Sequence, residues 1–422
     1  MTQFVQLHLL AAYPPSNPNR DDTGRPKTAM VGGSQRQRIS SQSLKRAWRT
    51  SEIFKQALDA HIGKQTQRIG IEWIYPKLIE AGYPDADARQ WSLKIQKVYG
   101  KPAEKKKDKL NAALLNGQVV KITPEEEVAL HDLVRELGLH KQGKASESYR
   151  SFFNELDELA KKKTKKTKKD ESGEESEEED EKSKSPTSLL KAKLLHKEHT
   201  AADIALFGRM LADAPLYNTE AACQVAHAFT VHKVALEDDF FTAVDDLNDH
   251  REDSGSAYMG EVGFGSGVYY LYLCVDTYRL KENLRVSGNT DLARTTLEAL
   301  LESAATVAPS GMQNRFGNRV AASYILVERG NQQPRSLAAA FFKPINGDGW
   351  IEPSVEALEK TLGNMDKVYG SRADARQKIN SITGEGSKWK ADATSEWESI
   401  KLKESETHLD SLKRFVGGVY DA

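Results

Sequence analysis

Between Arg20 and Thr50 the chain places eight bases (Arg20, Arg25, Lys27, Arg36, Arg38, Lys45, Arg46 and Arg49) against two acids (Asp21 and Asp22), a local charge of +6. Bases at this density, in a segment that also carries Gly24, Gly32 and Gly33, form an electrostatic footprint suited to phosphate. Ser40 and Ser41 head a stretch, Gln42-Ser43-Leu44-Lys45-Arg46-Ala47-Trp48-Arg49, that reads as a helix. Either serine can cap its free N–H groups, and those groups with their partial positive charge attract anions. Lys45 and Arg49 are i,i+4 neighbours and are expected on one face. An isolated helix of this composition is more often only amphipathic, with a solvated basic face. Arg36 and Arg38, on a stretch that reads as a strand just ahead of it, shift the expectation toward phosphate binding.

A second constellation, of opposite sign, spans Val231–Asp253. Glu237, Asp238, Asp239, Asp245, Asp246, Asp249, Glu252 and Asp253 surround Phe240, Phe241 and Val244. Two readings stand: a satellite cluster under a long loop, or an exposed wedge that meets another molecule, base or protein. The acidic run and the lack of alternation predict an irregular tip. Catalytic sets are sparse. Asp21-Asp22 or Asp245-Asp246 could bind Mg²⁺ for phosphodiester hydrolysis, but adjacent carboxylates in loops more often serve turns. His196 and His199 have no third ligand in view and read as surface helix residues. The glycines of Gly260–Gly267 precede a strand rather than a helix, which excludes a dinucleotide fingerprint. They read as a turn entering a central strand.

The elements that must position these groups follow from pattern. Phe4, Leu7, Leu9 and Leu10, with Gln6 and His8 between, predict a half-buried first strand. Ala11–Lys27 reads as a long loop and Ala29–Ile39, around Gly32-Gly33, as a hairpin. Residues 68–159 are helical in pattern. Val268–Val275 and Val320–Val327 predict strands, and Leu292–Val307 and Val355–Leu362 amphipathic helices. Strands at both ends with helices between predict an α+β sheet domain interrupted by a helical insertion. The lysine run Lys161–Lys169 and the acidic run that follows have no apolar anchors and read as a disordered loop.

The 422 residues suffice for two or three folding units. Sixty Lys+Arg against 61 Asp+Glu leave a net charge of −1, a balance that hides the local one. Two cysteines, Cys223 and Cys274, exclude a disulfide framework and a cysteine-rich zinc site and suit a reducing cytoplasm. No secretory core and no apolar run of membrane length is present, so neither export nor a membrane span is expected.

The run Asn19-Arg20-Asp21-Asp22, then Gly32-Gly33, then Arg38-Ile39-Ser40-Ser41-Gln42-Ser43-Leu44-Lys45-Arg46-Ala47 closely resembles the backbone (CasC-type, RAMP superfamily) subunit of the type I-E CRISPR Cascade surveillance complex. Asp203-Ile204-Ala205-Leu206, Gly208-Arg209-Met210, Ala226-His227-Ala228, Phe241–Leu247 and Ser266-Gly267-Val268 resemble the same subunit, in the same order. The match is strong over about 1–50 and 202–285, weak over 304–345 and absent over most of 60–200. The resemblance implies an RRM-like (ferredoxin-like) palm with an inserted helical fingers domain and a protruding β-hairpin thumb. The corresponding boundaries are 1–60, palm; 61–218, fingers, with the charged tract at 160–186; 219–232, palm; 233–261, thumb; and 262–422, palm.

It further implies that copies stack head to tail along one CRISPR RNA, which pairs with target DNA, among other Cascade subunits. Arg20, Lys27, Lys45 and Arg49 would hold the guide backbone, with Arg36, Arg38, Arg46, Ser40 and Gln42 nearby. Met210 would pack against bases, Phe240, Phe241 and Val244 would wedge at a displaced base, and Gln313 and Arg315 would add RNA contacts. No cofactor, metal or membrane enters this reading, and no catalysis. The alternative is a metal-dependent ribonuclease using the loop aspartates.

Overall fold

The computed structural model describes residues 3–103, 112–167, 185–243, 258–284, 290–389 and 396–421. Val244, Asp245, Asp246 and the charged tract over 168–184 lie outside them. The strands are, in chain order, β1 (Phe4–Ser16), β2 (Thr28–Val31), β3 (Ser34–Ile39), β4 (Lys64–Thr66), β5 (Val120–Ile122), β6 (Cys223–Val225) and β7 (Ala228–Thr230). They continue with β8 (Glu237–Ala243), β9 (Tyr258–Asp276), β10 (Tyr324–Gly330), β11 (Ala375–Asn380), β12 (Glu385–Trp389) and β13 (Trp397–Ser399). The chain divides into two compact units, one of Met1–Asp59, Ala222–Glu282 and Asn289–Ala422, the other of Ala60–Ala221 with Asn283–Gly288. The protein mixes helix and sheet, and no helix among the described residues is long and apolar enough to cross a membrane.

The first unit is built on an antiparallel sheet of order β13-β12-β11-β10-β1-β9-β7-β3-β2, with β6 and β8 also paired to β9. β1 lies between β9 and β10, in register from Phe4 to Leu10 on both sides. One face of the sheet (Leu9, Tyr269, Leu271) meets Leu44 and Trp48 of helix α1 (Ser41–Arg49) and Ala304 and Ala305 of the helix Thr290–Thr306. The other face (Leu10, Tyr270, Tyr324, Leu326) packs with Leu358 and Leu362 of the helix Ile351–Tyr369.

β1 is therefore buried on both faces, not on one as its alternation predicts. Gln6 and His8 are 2% and 0% exposed. Their polar face is covered by a polar network rather than by water. His8 Nδ1 lies 2.9 Å from Tyr270 Oη and Nε2 3.1 Å from Glu328, whose carboxylate also accepts from Arg335 and Arg376 at 2.6 and 2.8 Å. Burial holds the His8 pKa low, while His8 and the arginines hold Glu328 well below the usual carboxylate range against its own burial. A buried polar group persists only when partnered in this way.

β1 also runs to Ser16, past the point where the sequence reads as a loop. The glycine stretch differs too. Gly260–Gly267 is not a turn but part of the first half of β9, which pairs with β8 from Glu237↔Phe264 to Ala243↔Tyr258 while Gly265 and Gly267 pair with Ser16 and Tyr13 of β1. The glycines serve close approach: a Cβ at Gly265 would fall 2.5 Å from the Gln37 amide, and one at Gly267 would overlap the His232 ring.

The second unit is mainly helical. Ile69, Ile74, Leu78, Ile95, Leu130, Leu133, Leu137 and Phe153 share its core, flanked by the β4–β5 ribbon. The helix Pro124–Lys141 starts at a capping box between Thr123 and Glu126. The helix Glu147–Thr167 extends into the lysine run read as loop; that run lacks Gly and Pro and suits a helix. The next helix begins at Pro186, capped by Ser185.

Candidate nucleic-acid interface

The basic segment is held by a set of side-chain and backbone hydrogen bonds. Asn19 accepts from Ser40 N through Oδ1 and from Lys27 N through its carbonyl, both at 2.9 Å. The loop is thereby tied to the head of α1. Arg38 N donates to Lys27 O at 2.8 Å, which adds the β3 strand. Asp21 Oδ1 accepts from Thr23 N, Thr23 Oγ1 and Arg25 N at 2.9, 2.7 and 3.0 Å. Its carboxyl is held below the usual range, first by the Thr23 hydroxyl, so this aspartate serves a turn. Among the described residues no group of three His, Cys, Asp or Glu is placed to hold a metal ion.

The eight bases have different fates. Arg36 is not a surface residue: it is 0% exposed and donates to the carbonyls of Thr230 and Phe341 at 2.8 and 3.0 Å. Both faces of β3 are covered at that point, Gln37 being 1% exposed as well, so the Arg36 charge is spent on backbone carbonyls. Arg38 is half-buried, donating to Thr28 O at 3.1 Å and lying 3.0 Å from His227 Nδ1. Burial, then the Arg38 and Lys27 charges, lower the His227 pKa and keep the ring neutral, so Nδ1 can accept.

On α1, Ser40 is the N-cap, its Oγ accepting from Ser43 N. Leu44 and Trp48 face the core and take Arg49 with them, only 8% exposed, while Lys45 is half-buried. The exposed i,i+4 pair is Gln42 and Arg46, not Lys45 and Arg49. Arg20 and Arg25 stand exposed on the loop, and Lys27 is half-buried.

Three loops meet at the root of the β8–β9 hairpin. Asn17 is fully buried and donates to Gly24 O and Gly263 O at 3.0 and 2.9 Å. Arg25 Nη2 reaches Asp238 Oδ1 at 2.5 Å and Glu261 at 3.9 Å. The short helix Gln313–Phe316 sits against Asn17-Pro18, where a Cβ on Gly311 would overlap the Pro18 carbonyl. Gln313 pairs its amide with Asn318, and the Arg315 guanidinium lies 4.2 Å above the Phe241 ring. Phe264 and Phe316 add a ring contact at 5.8 Å.

β8 is a regular paired strand, not an irregular tip, so Phe240 and Phe241 point to opposite faces. Phe240 is 64% exposed and Phe241 partly covered. Sequence reasoning missed Asn17, Asn19, Arg25 and His227 as parts of this frame. The Ser-Asn-Pro-Asn run of the loop carries a signal for the asparagines. The Arg25–Asp238 pair joins residues 213 apart and leaves no local signal.

Met210 stands in the second unit, 81% exposed, beyond a bridge between Arg209 and Thr219. Exposed Val119 and half-buried Lys121, whose Nζ donates to Gly208 O at 2.5 Å, share its concave surface. Arg209 beneath is buried against Glu126 at 2.6 Å. His196 and His199 are loop residues here. His199 is 1% exposed, 3.1 Å from Thr219 Oγ1, and burial lowers its pKa to about 4.

This sheet, inserted helical unit and hairpin match subunits of RNA-guided surveillance complexes. The chain is similar to one in a CRISPR RNA-guided surveillance complex, pre-nicking, with a TM-score of 0.69 and 26% identity over 98% of this chain and 100% of that one. A chain of a second CRISPR RNA-guided surveillance complex shares the fold, with a TM-score of 0.52 and 22% identity over 98% and 99%. No curated protein matches the sequence. The chain belongs to the CT1975-like Cas protein family, whose model matches residues 5–407.

Proposed function

We propose that this protein is the non-catalytic, guide RNA-binding backbone subunit of a Cascade-type complex of type I-E. In this reading it polymerises head to tail along a CRISPR RNA, beside other Cascade subunits in the cytoplasm, and presents the guide to target DNA. The observation that carries the proposal is the end-to-end likeness to a surveillance-complex chain, since a shared domain alone would not extend over both units. The sheet core supports an RRM-like palm. β1, β6–β7, β9 and β10 alternate with helices in a β-α-β-β-α-β order and pair as β10-β1-β9-β7, a ferredoxin-like arrangement. The second unit is then the fingers and the β8–β9 hairpin the thumb.

The exposed bases Arg20, Arg25 and Arg46, with Lys27 and Lys45, sit on a pinned loop and on the body of the capped helix α1, a frame suited to phosphates of any sequence. Absence of catalysis is part of the proposal and is supported by the use of Asp21 in a turn. The test is binding of unrelated guide RNAs across a salt series. The proposal expects equal affinities and a log–log slope that flattens by roughly 0.7 for each phosphate a variant such as Lys45→Ala or Arg46→Ala no longer neutralises. Affinity that depends on guide sequence, or cleavage of bound RNA with Mg²⁺ that Asp21→Ala abolishes, would overturn it.

A further inference from the structure

We propose that Arg315 is a positioning residue: it grips the hairpin by the Phe241 ring and so leaves Phe240, on the opposite face, as the side chain the hairpin presents. This rests on the thumb assignment above. The register of β8 with β9 sorts the hairpin into two faces. Phe240 shares its face with Asp238, Glu261, Thr242 and Met259, and Phe240 and Met259 are 64% and 63% exposed. Phe241 shares the other with Gly260 and Tyr258. Its ring tilts against Tyr258 at 6.0 Å and lies over Gly260, where a Cβ would fall 2.5 Å from Cζ. The Arg315 guanidinium covers that ring at 4.2 Å.

A guanidinium so placed is attracted to the ring face. The arginine comes from the short helix Gln313–Phe316, bounded by Met312 at φ +50° and Gly317 at φ +60°. The grip therefore ties the hairpin to the body of its own subunit. On the Phe240 face the Arg25–Asp238 pair is exposed and contributes little. Carboxylates beside an exposed ring repel phosphate, so what this face offers a nucleic acid is the apolar surface of Phe240 and Met259, which fits the flat face of a base.

The experiment is amide hydrogen exchange of β8 in the RNA-free, full-length chain, paired with guide binding over a salt series. Arg315→Ala is expected to speed exchange over Glu237–Ala243 about two- to fivefold, the size of an exposed cation–π pair. Arg315→Lys should restore most of the protection, and in a Phe241→Leu background Arg315→Ala should add nothing. The salt slope for guide binding should stay at its wild-type value. Phe240→Ala should leave exchange unchanged. Unchanged exchange in Arg315→Ala, or a slope flattened by one phosphate, would overturn the assignment and make Arg315 a phosphate ligand. Because exchange is read without RNA, failure to bind guide would count against the proposed function alone.

Discussion

The basic segment from Arg20 to Arg49 and the acidic strand β8 lie in the same unit and are held in opposite ways. The basic segment builds its own frame. Asn19, Asp21 and Ser40 spend their polar groups within the segment, Arg36 ties it to the distant carbonyls of Thr230 and Phe341, and the exposed bases are displayed on that support. Among the described residues β8 pairs only with β9, and it is steadied from outside chiefly by Arg315, a residue distant in sequence. A surface that carries its own frame tolerates removal of any one displayed charge. A hairpin held from outside depends on its few anchors.

The largest effect expected from this contrast is at Arg36. Arg36→Met leaves the carbonyls of Thr230 and Phe341 unpaired in the interior and should cost about 3 kcal/mol. Arg20→Ala and Arg46→Ala, on exposed side chains, should each stay within about 0.5 kcal/mol of wild type. Urea unfolding of the three variants separates them. If Arg36→Met were as mild as the other two, the frame would not depend on its interior arginine.

A smaller effect is expected on the hairpin. Phe240→Ala should leave the subunit as stable as wild type but impair ordered assembly on RNA, since a base–aromatic contact is worth about 1–3 kcal/mol. Phe241→Ala should lower stability slightly and disturb assembly through a misdirected hairpin. Chemical probing of the bound guide should lose its periodic reactive positions in the first variant. Equal, large losses of stability in both would place both rings in a core.

Acid should weaken the frame through His227 and, in the second unit, the packing around His199. His227 and His199 have folded pKa values below the ordinary 6.5, so the unfolded chain binds more protons once the pH falls below that value. The stability these neutral rings contribute is full above about pH 6.5 and is lost as the pH drops toward the folded values, near 4 for His199. Protonated His227 also cannot accept from Arg38. Unfolding free energies measured from pH 7 to pH 4 should fall, and His227→Gln should flatten part of the slope. A stability that rises on acidification would contradict the assigned states.

Much of this was legible in the chain. The capped helix at Ser40, the β2–β3 hairpin around Gly32-Gly33 and the central strands announced themselves through spacing and turn residues. Local pattern failed where a distant partner decided the outcome. The alternation of β1 predicts water over Gln6 and His8, but Glu328, some 320 residues away, covers His8 instead. Arg36 looks like Arg38 in sequence, and only the carbonyls of Thr230 and Phe341 distinguish them. The glycines of β9 resemble a turn because nothing nearby shows the Gln37 and His232 side chains that need their space. The acidic run hid a regular strand, since β8 is exposed on both faces and has no buried face to impose alternation.

The central claim is that many copies of this chain coat one guide RNA. Native mass spectrometry of the full-length chain mixed with guide RNAs of increasing length tests it most directly. The account predicts that bound copies rise in whole steps with RNA length, at a constant number of nucleotides per added copy and for any guide sequence. One copy per RNA at every length, or no uptake of RNA at all, would contradict it.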